Sequence, residues 1–574
     1  MPASPRRSPL PRRAATRCAT LLVVALSSTG CGPGGDDAPA TTRATAAATG
    51  GTVVIATPTE PDHVIPPVVS SVLGRQIDDL LFERLADIGP ALNTVGDAGF
   101  TPRLATRWTW SADSLSIAFS LDPAARWHDG RPVRAADVAF TYALYKDPAV
   151  ASPAAALLGN VDSVTVRDSL TAVAWFARRA PEQFYDATHH VVILPAHLLA
   201  AADRARLAAA PFAKRPVGSG PFRFDAWTPG ERLVLVADTT GGRRRATLDR
   251  VVWTFAKDPT TAFTRVATGE ADIYENVRPD RVAEVARNAA LRLDVAPGLD
   301  YHYVAFNLHR DAGADAHPVF GDRAVRRALT MALDRAAIVR VMFDTLARVA
   351  LGPFPRAVAT ADTAIVPLPH APDSAARLLD AAGWVRGADG MRAKGGVPLA
   401  FSILVPSVAA SRVKAATVMQ AQWRAVGVRV GIEQVDFPAF LARLDARRFE
   451  AIIGGWSADP GAGAVRQTWG RAGARAGGEN AGRYVSAAFD AHVDSGLATF
   501  DRGVQRAHFA AAWRTIVDDA PGIWLSEPWR LVAMHRRLRP VGMRPDAWWA
   551  RLHEWTIAPD QRLPRDGAGT LAAR

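Results

Sequence analysis

The most suggestive chemistry in this 574-residue chain lies in Gly454-Gly455-Trp456-Ser457-Ala458-Asp459-Pro460. An alternating stretch, Phe449 to Ile453, runs into the glycine pair, where the backbone can turn sharply and present Trp456 and Asp459 at a strand end. Open α/β sheets place ligands at such ends. A carboxylate there suits an ammonium group, which has three donors to share, and the charge-assisted pair is strongest when shielded from water. The same two residues also read as a core Trp and an Asp that caps the turn before Pro460. Glu60 and His63, on the loop after the first predicted strand, are further candidate ligand contacts, with a solvated loop as the alternative.

Reactive constellations are missing. Ser219 lacks G-x-S-x-G spacing, His553-Glu554 does not extend to H-E-x-x-H, and no Gly-Lys-Ser/Thr phosphate loop occurs. His189-His190, with His197 seven residues on, reads as surface or core histidines. The acid pairs Asp78-Asp79 and Asp518-Asp519 have no spacing that sets them opposite one another. The expectation is a non-enzyme with no metal and no cofactor.

The first 31 residues point outside the cytoplasm. Five Arg precede an apolar run from Cys18 to Leu26 that ends in Ser-Ser-Thr-Gly-Cys, the charge, core and small-residue order of a secretory signal over residues 1–30. The run is too short to span a bilayer, which takes ~20 apolar residues. Cys31, behind small residues, resembles the lipobox cysteine of bacterial lipoproteins, with Ser28 where Leu is usual. Without residues 1–30 the net charge of +12 falls to about +7, and the remaining Arg are scattered among Ala and Asp. That pattern is a solvated surface and not a nucleic-acid stripe. Cys31 would be the only cysteine left, so no intrachain disulfide holds the fold.

The elements that must position these residues are mixed α/β. Residues 31–50 read as a flexible tether and 561–574 as a disordered tail, since neither buries enough apolar surface to offset the entropy of ordering. Thr52 to Ala56 reads as a buried strand, and Ile77, Leu80, Leu81 and Leu85 have helical spacing. Ser116 to Leu121 alternates as a strand, Asp129-Gly130 supplies a tight turn, and a helix starts at Ala135. Asp322 caps a predicted helix whose stripe is Val325, Ala328, Leu329, Ala332, Leu333 and Ala336, with Arg323, Arg326, Arg327 and Asp334 facing away. A helix capped by Asp373 stops at Gly383, another spans Ser411 to Val426, and Val428 to Ile432 alternates as a strand. The order predicts open sheets flanked by helices.

Several segments, in this order, resemble the family 5 extracellular solute-binding proteins, the peptide and nickel receptors of ABC importers. They are Arg126-Trp127-His128-Asp129-Gly130; Pro216 to Phe222; Ala305-Phe306-Asn307-Leu308; Asp322 to Arg335; Ala375 to Trp384; and Phe449 to Pro460. The resemblance covers about residues 52 to 557. It implies a two-lobed periplasmic-binding-protein fold of the large peptide-binder class. Lobe I would comprise 51–85, 201–299 and 523–560, with an inserted subdomain at 86–200, and lobe II would comprise 300–522. It further implies a monomer that captures a small solute, first of all a short peptide, and delivers it to an ABC permease and its ATPase. A nickel chelate, an oligosaccharide or a sensing role are the alternatives. The place would be the periplasm or the outer face of the cytoplasmic membrane, with Cys31 as lipid anchor. In peptide-binding relatives the Asp matching Asp459 takes the peptide's amino terminus, with the Trp beside it. Some carry an Arg three residues before that Trp, where this chain has Ile453. A peptide carboxylate would then need another cation, such as Arg443, Arg447 or Arg466, or stay solvated.

Overall fold

The computed structural model describes residues 50–239, 244–310, 313–475 and 477–567. The expected signal, Cys31 and all of the tether except Gly50 therefore lie outside the described residues.

The β-branched run after Gly51 forms strand Thr52–Thr57 (β1), buried along almost its whole length. Ser71 caps helix Val72–Leu81 (α1) by accepting from Gly74 N. The insert carries a four-stranded antiparallel sheet, Ala105–Trp110 (β2), Ser116–Leu121 (β3), Val161–Asp168 (β4) and Thr171–Phe176 (β5), in the order β2-β3-β5-β4. Helices Ala135–Lys146 (α2) and Gln183–His189 (α3) accompany it.

A single large sheet runs through the rest. Its first half holds Phe222–Thr228 (β6), Arg232–Ala237 (β7), Arg250–Phe255 (β8), Ile273–Tyr274 (β9) and Leu291–Pro297 (β10). Its second half holds Asp300–Phe306 (β11), Ala347–Val349 (β12), Ala400–Pro406 (β13), Arg429–Val435 (β14) and Ala451–Ser457 (β15). The long strand Gly522–His535 (β16) belongs to both. The order is β14-β13-β15-β11-β16-β9-β1-β8-β7-β6, with β10 and β12 also paired to β16. A bulge at Leu525 shifts the β11–β16 register. Helices Arg323–Met331 (α4), Arg335–Phe343 (α5), Pro372–Ala381 (α6), Ala410–Ala425 (α7), Ala464–Thr468 (α8) and Arg502–Asp519 (α9) pack around the second half.

One apolar core joins the insert to the first half, with Ile55, Trp127, Phe184, Trp253 and Trp548 in the same cluster. The second half has a core on each face, around Trp423 on one and Trp513 on the other. The His128 ring explains why two distant motifs occur together. Its Nδ1 accepts from Gly218 N (3.1 Å) and its Nε2 meets Gly220 O (3.0 Å), which fixes a neutral tautomer. A Cβ on Gly218 would lie 1.8 Å from Leu81 O, so only glycine lets these backbones meet.

Three local expectations are corrected. The stripe from Val325 to Ala336 is split between α4 and α5, because Asp334 caps the second helix at Ala337 N and Ala336 is exposed. Arg326 does not face away. Its guanidinium is buried and donates to the carbonyls of Phe320, Asp519 and Ala520, satisfying the acceptors left at the end of α9. The segment from 561 to 567 is held in place, not frayed. Asp566 is buried, accepts from Thr52 N (2.7 Å) and pairs with Arg537 (2.6 Å).

Candidate functional site

Strand β15 pairs with β11 along its full length, Asp300 to Phe306 against Ser457 to Ala451. On its other side β13 pairs only at Ile403↔Ala451 and Leu404↔Ile452 before diverging with β14. From Ile453 to Ser457 that edge of β15 thus meets no strand among the described residues. Contrary to the expectation from sequence, the glycine pair does not turn the chain. Both residues sit inside the strand, where a Cβ on Gly454 would lie 2.9 Å from the Tyr303 ring and one on Gly455 2.6 Å from Arg412 Nη2. The turn comes later, at Ala458 to Pro460.

Trp456 lies opposite Tyr301 in the β11–β15 register and is half-buried. Asp459 follows at the strand end. Its Oδ1 accepts from Tyr185 Oη (2.7 Å) on α3 and from Gly461 N (2.7 Å), while Oδ2 accepts from no described residue. One oxygen of Asp459 thus caps the turn and the other remains open. Next to it, Glu182 Oε1 accepts from Thr94 Oγ1 (2.6 Å) and from Ala462 N (2.9 Å), a second bridge from the insert to the second half. Arg179 stacks over the Phe500 ring at 4.4 Å as a third. The cavity lined by Trp456, Asp459, Tyr301 and Trp513 holds about 40 Å³. Ligand sites usually run to ~300–1,000 Å³, so this cavity is too small for a peptide unless its walls part.

The junction is acid-rich. Burial, then Glu182 and Asp459, pushes the Asp186 carboxyl up to about 8. Burial also raises Glu182 and holds His189 and His190 below the usual imidazole range. A carboxyl raised on folding binds more protons folded than unfolded. Its stabilising contribution is therefore complete below its unfolded pKa of 3.8 and is lost as pH rises through about 8. The depressed histidines act in the opposite sense and only below about pH 6.5. Between pH 6.5 and 8.5, thermal stability of the wild type should fall, and Asp186→Asn should flatten that slope. Identical slopes in thermal melts would exclude Asp186 as the group.

Glu60 and His63 are not brought to this junction. Glu60 is exposed and accepts from Trp227 Nε1 (2.7 Å) and Gly230 N (3.1 Å), closing the β6–β7 hairpin at the far edge of the sheet. His63 sits half-exposed beside the start of α1, its carbonyl 3.0 Å from where a Gly74 Cβ would be. The cations expected for a carboxylate are engaged elsewhere. Arg443 pairs with Glu433 (2.7 Å), Arg466 with Asp494 (2.8 Å), and Arg447 donates to Gly478 O. The acid pairs form no facing dyad: Asp79 pairs with Arg84 (2.7 Å), and Asp518 with Arg323 and Arg327. Sequence reasoning missed Glu182, Tyr185 and Asp186. Their spacing with His189 and His190 on one helix face was a signal, though nothing local ties them to Asp459, 274 residues from Tyr185.

Residues 99–474 match the family model described as bacterial extracellular solute-binding proteins, family 5 Middle. Relatives from Brucella ovis and Brucella abortus, provisionally named ABC transporter peptide-binding proteins, are 30% identical over 355 residues, or 61% of this chain and 62% of theirs. The chain thus spans just over three fifths of the length of these relatives. The di/tripeptide-binding protein 2 of Pseudomonas aeruginosa is 24% identical over 490 residues, covering 81% of this chain and 87% of that one. Among solved structures, the oligopeptide-binding protein AppA of Bacillus subtilis in complex with a nonapeptide superposes with a TM-score of 0.74. It is 23% identical, over 89% of this chain and 99% of that one. The fold is that of the two-lobed periplasmic peptide-binding proteins. The chain belongs to the bacterial extracellular solute-binding proteins, family 5.

Proposed function

We propose that the protein is the solute-capturing receptor of an ABC importer, that it closes its two lobes around short peptides outside the cytoplasm, and that it presents the closed form to a membrane permease. The observation that carries the reading is Asp459, a carboxylate fixed by Tyr185 and Gly461 with one oxygen open, beside the unpaired edge of β15. An extended peptide can add its backbone to such an edge while its terminal ammonium meets the carboxylate. Trp456 supplies an apolar wall next to it. The names of the Pseudomonas and Bacillus relatives, di/tripeptide-binding and oligopeptide-binding, support the same solute class.

Binding would shift an existing equilibrium between open and closed lobes, and ligand contacts from both sides would favour the closed state. The test is calorimetry of the purified protein with di-, tri- and tetrapeptides and their N-acetyl forms. Free-amine peptides should bind, and acetylation should weaken them. Absence of binding by any peptide would end this reading in favour of a nickel chelate, an oligosaccharide or another solute. No helix among the described residues is long and apolar enough to cross a membrane. Attachment would rest on a lipid at Cys31, and Cys31→Ser should then move the protein from the membrane fraction to the soluble one.

A further inference from the structure

Arg530, on the lobe I part of β16, bears on the other end of the ligand. Its Nη1 donates to the carbonyl oxygens of Arg544 (2.9 Å) and Pro545 (3.1 Å). Two acceptors on one nitrogen fix the plane of the guanidinium. Nε and Nη2 are both buried, and neither donates to any described residue. These two nitrogens form one edge of the fork, with parallel N–H groups spaced to meet both oxygens of a carboxylate.

The acids near this edge already have partners. Glu275 accepts from Gln76 Nε2 at 2.9 and 3.0 Å, one bond to each oxygen. Asp546 takes the fork of Arg544 at 3.1 and 2.9 Å. Asp300 takes the hydroxyl of Ser457, its partner in the β11–β15 register. All three feel the Arg530 charge, yet none closes on its open edge. A buried guanidinium edge without acceptors destabilises a fold, so an unmet one needs a reason other than stability.

The placement supplies one. Arg530 pairs with Ala296 in the β10–β16 register, its amide 3.8 Å from where a Gly298 Cβ would be; Asp300 follows two residues on and faces Ser457, which is two residues before Asp459. A strand advances ~3.3 Å per residue, so the step from Ser457 to Asp459 takes up about 7 Å, the scale of a short ligand.

We propose that the Nε and Nη2 edge of Arg530 receives the ligand's carboxylate, making the cleft selective for short zwitterions held by Asp459 at one end and Arg530 at the other. This rests on the peptide-receptor reading and names a contact that reading does not need. It also replaces Arg443, Arg447 and Arg466 as the cation for a carboxylate.

The experiment is calorimetry of the full protein with unblocked di-, tri- and tetrapeptides, their C-terminal amides, free amino acids, acetate and succinate. Amidation should weaken binding to wild type by about tenfold or more, the loss expected of a charge-assisted bidentate pair. Arg530→Gln should bind acid and amide alike, and Arg530→Lys, which keeps the charge without the fork, should fall between. If peptides bind but wild type does not distinguish acid from amide, the Arg530 assignment is overturned while the peptide reading stands. The wild-type comparison needs no variant to fold. If no peptide binds but amino acids or small carboxylates do, and Arg530→Gln abolishes this, the anion site stands and the peptide reading falls. If no carboxylate of any kind binds, both fall.

Discussion

Arg537→Met is expected to destabilise the protein by about 3–5 kcal/mol, the usual consequence of removing one partner from a buried ion network. Arg537 is 1% exposed and Asp272 0%. The guanidinium grips Asp272 through Nε (2.7 Å) and Nη2 (2.8 Å), Asp566 through Nη1 (2.6 Å), and the Thr52 carbonyl through Nη2 (2.7 Å). The two carboxylates also accept from Val54 N and Thr52 N, so the network stitches β1 to the chain ahead of β9, the end of β16 and the last described turn. Methionine fills much of the volume but leaves the buried Asp566 without its cation and Asp272 with Arg565 alone. Chemical denaturation should show a lower midpoint with an unchanged slope. A loss under about 1 kcal/mol would mean that the network relaxes or takes up water when broken.

Asp459→Ala should weaken binding of free-amine peptides about ten- to hundredfold, the range of a hydrogen bond to a charged group. Alanine alone cannot separate the two roles of this side chain, because it also deletes the acceptor for Gly461 N. Asp459→Asn keeps an oxygen for that turn and removes the charge. If the asparagine variant binds as wild type does while alanine fails, Asp459 is a turn cap and the ammonium contact lies elsewhere. If both lose affinity, the charge is what the ligand needs. Tyr185→Phe should leave affinity unchanged or raise it, since its hydroxyl occupies an oxygen of the same carboxylate.

Much of the architecture could be read locally. The strand at Thr52, the helix over Ala410–Ala425 with its stop at Gly427, and the strand after it follow from β-branching, periodicity and a glycine at positive φ. Such signals reside in a dozen neighbouring residues. Arg326 shows where that fails: nothing in its helical phase reveals that the carbonyls of a helix nearly 200 residues later need its donors. The glycine pair at 454 and 455 failed differently. Glycine permits both a sharp turn and a close approach, and the choice was made by Tyr303 and Arg412, which the sequence cannot seat above them. At the candidate site, Trp456 and Asp459 were legible because they end a strand. Glu60 was misplaced because its partners are an indole and a turn 167 and 170 residues away.

The strand Gly522–His535 gives the molecule a mechanical character. It pairs with β11 near one end and with β10 and β9 toward the other, and Pro528, which has no N–H to offer, sits in the stretch between. The two halves of the sheet are therefore joined by shared ladder and not by slack linkers. Parting them bends and twists that ladder, so the stored energy grows with angle, as in a torsion bar. The rest angle is a property of strand twist and of how few rungs cross at the proline. A solute need supply only the difference between that angle and the closed one, and on release the spring returns once the Tyr185–Asp459, Glu182–Ala462 and Arg179–Phe500 contacts part.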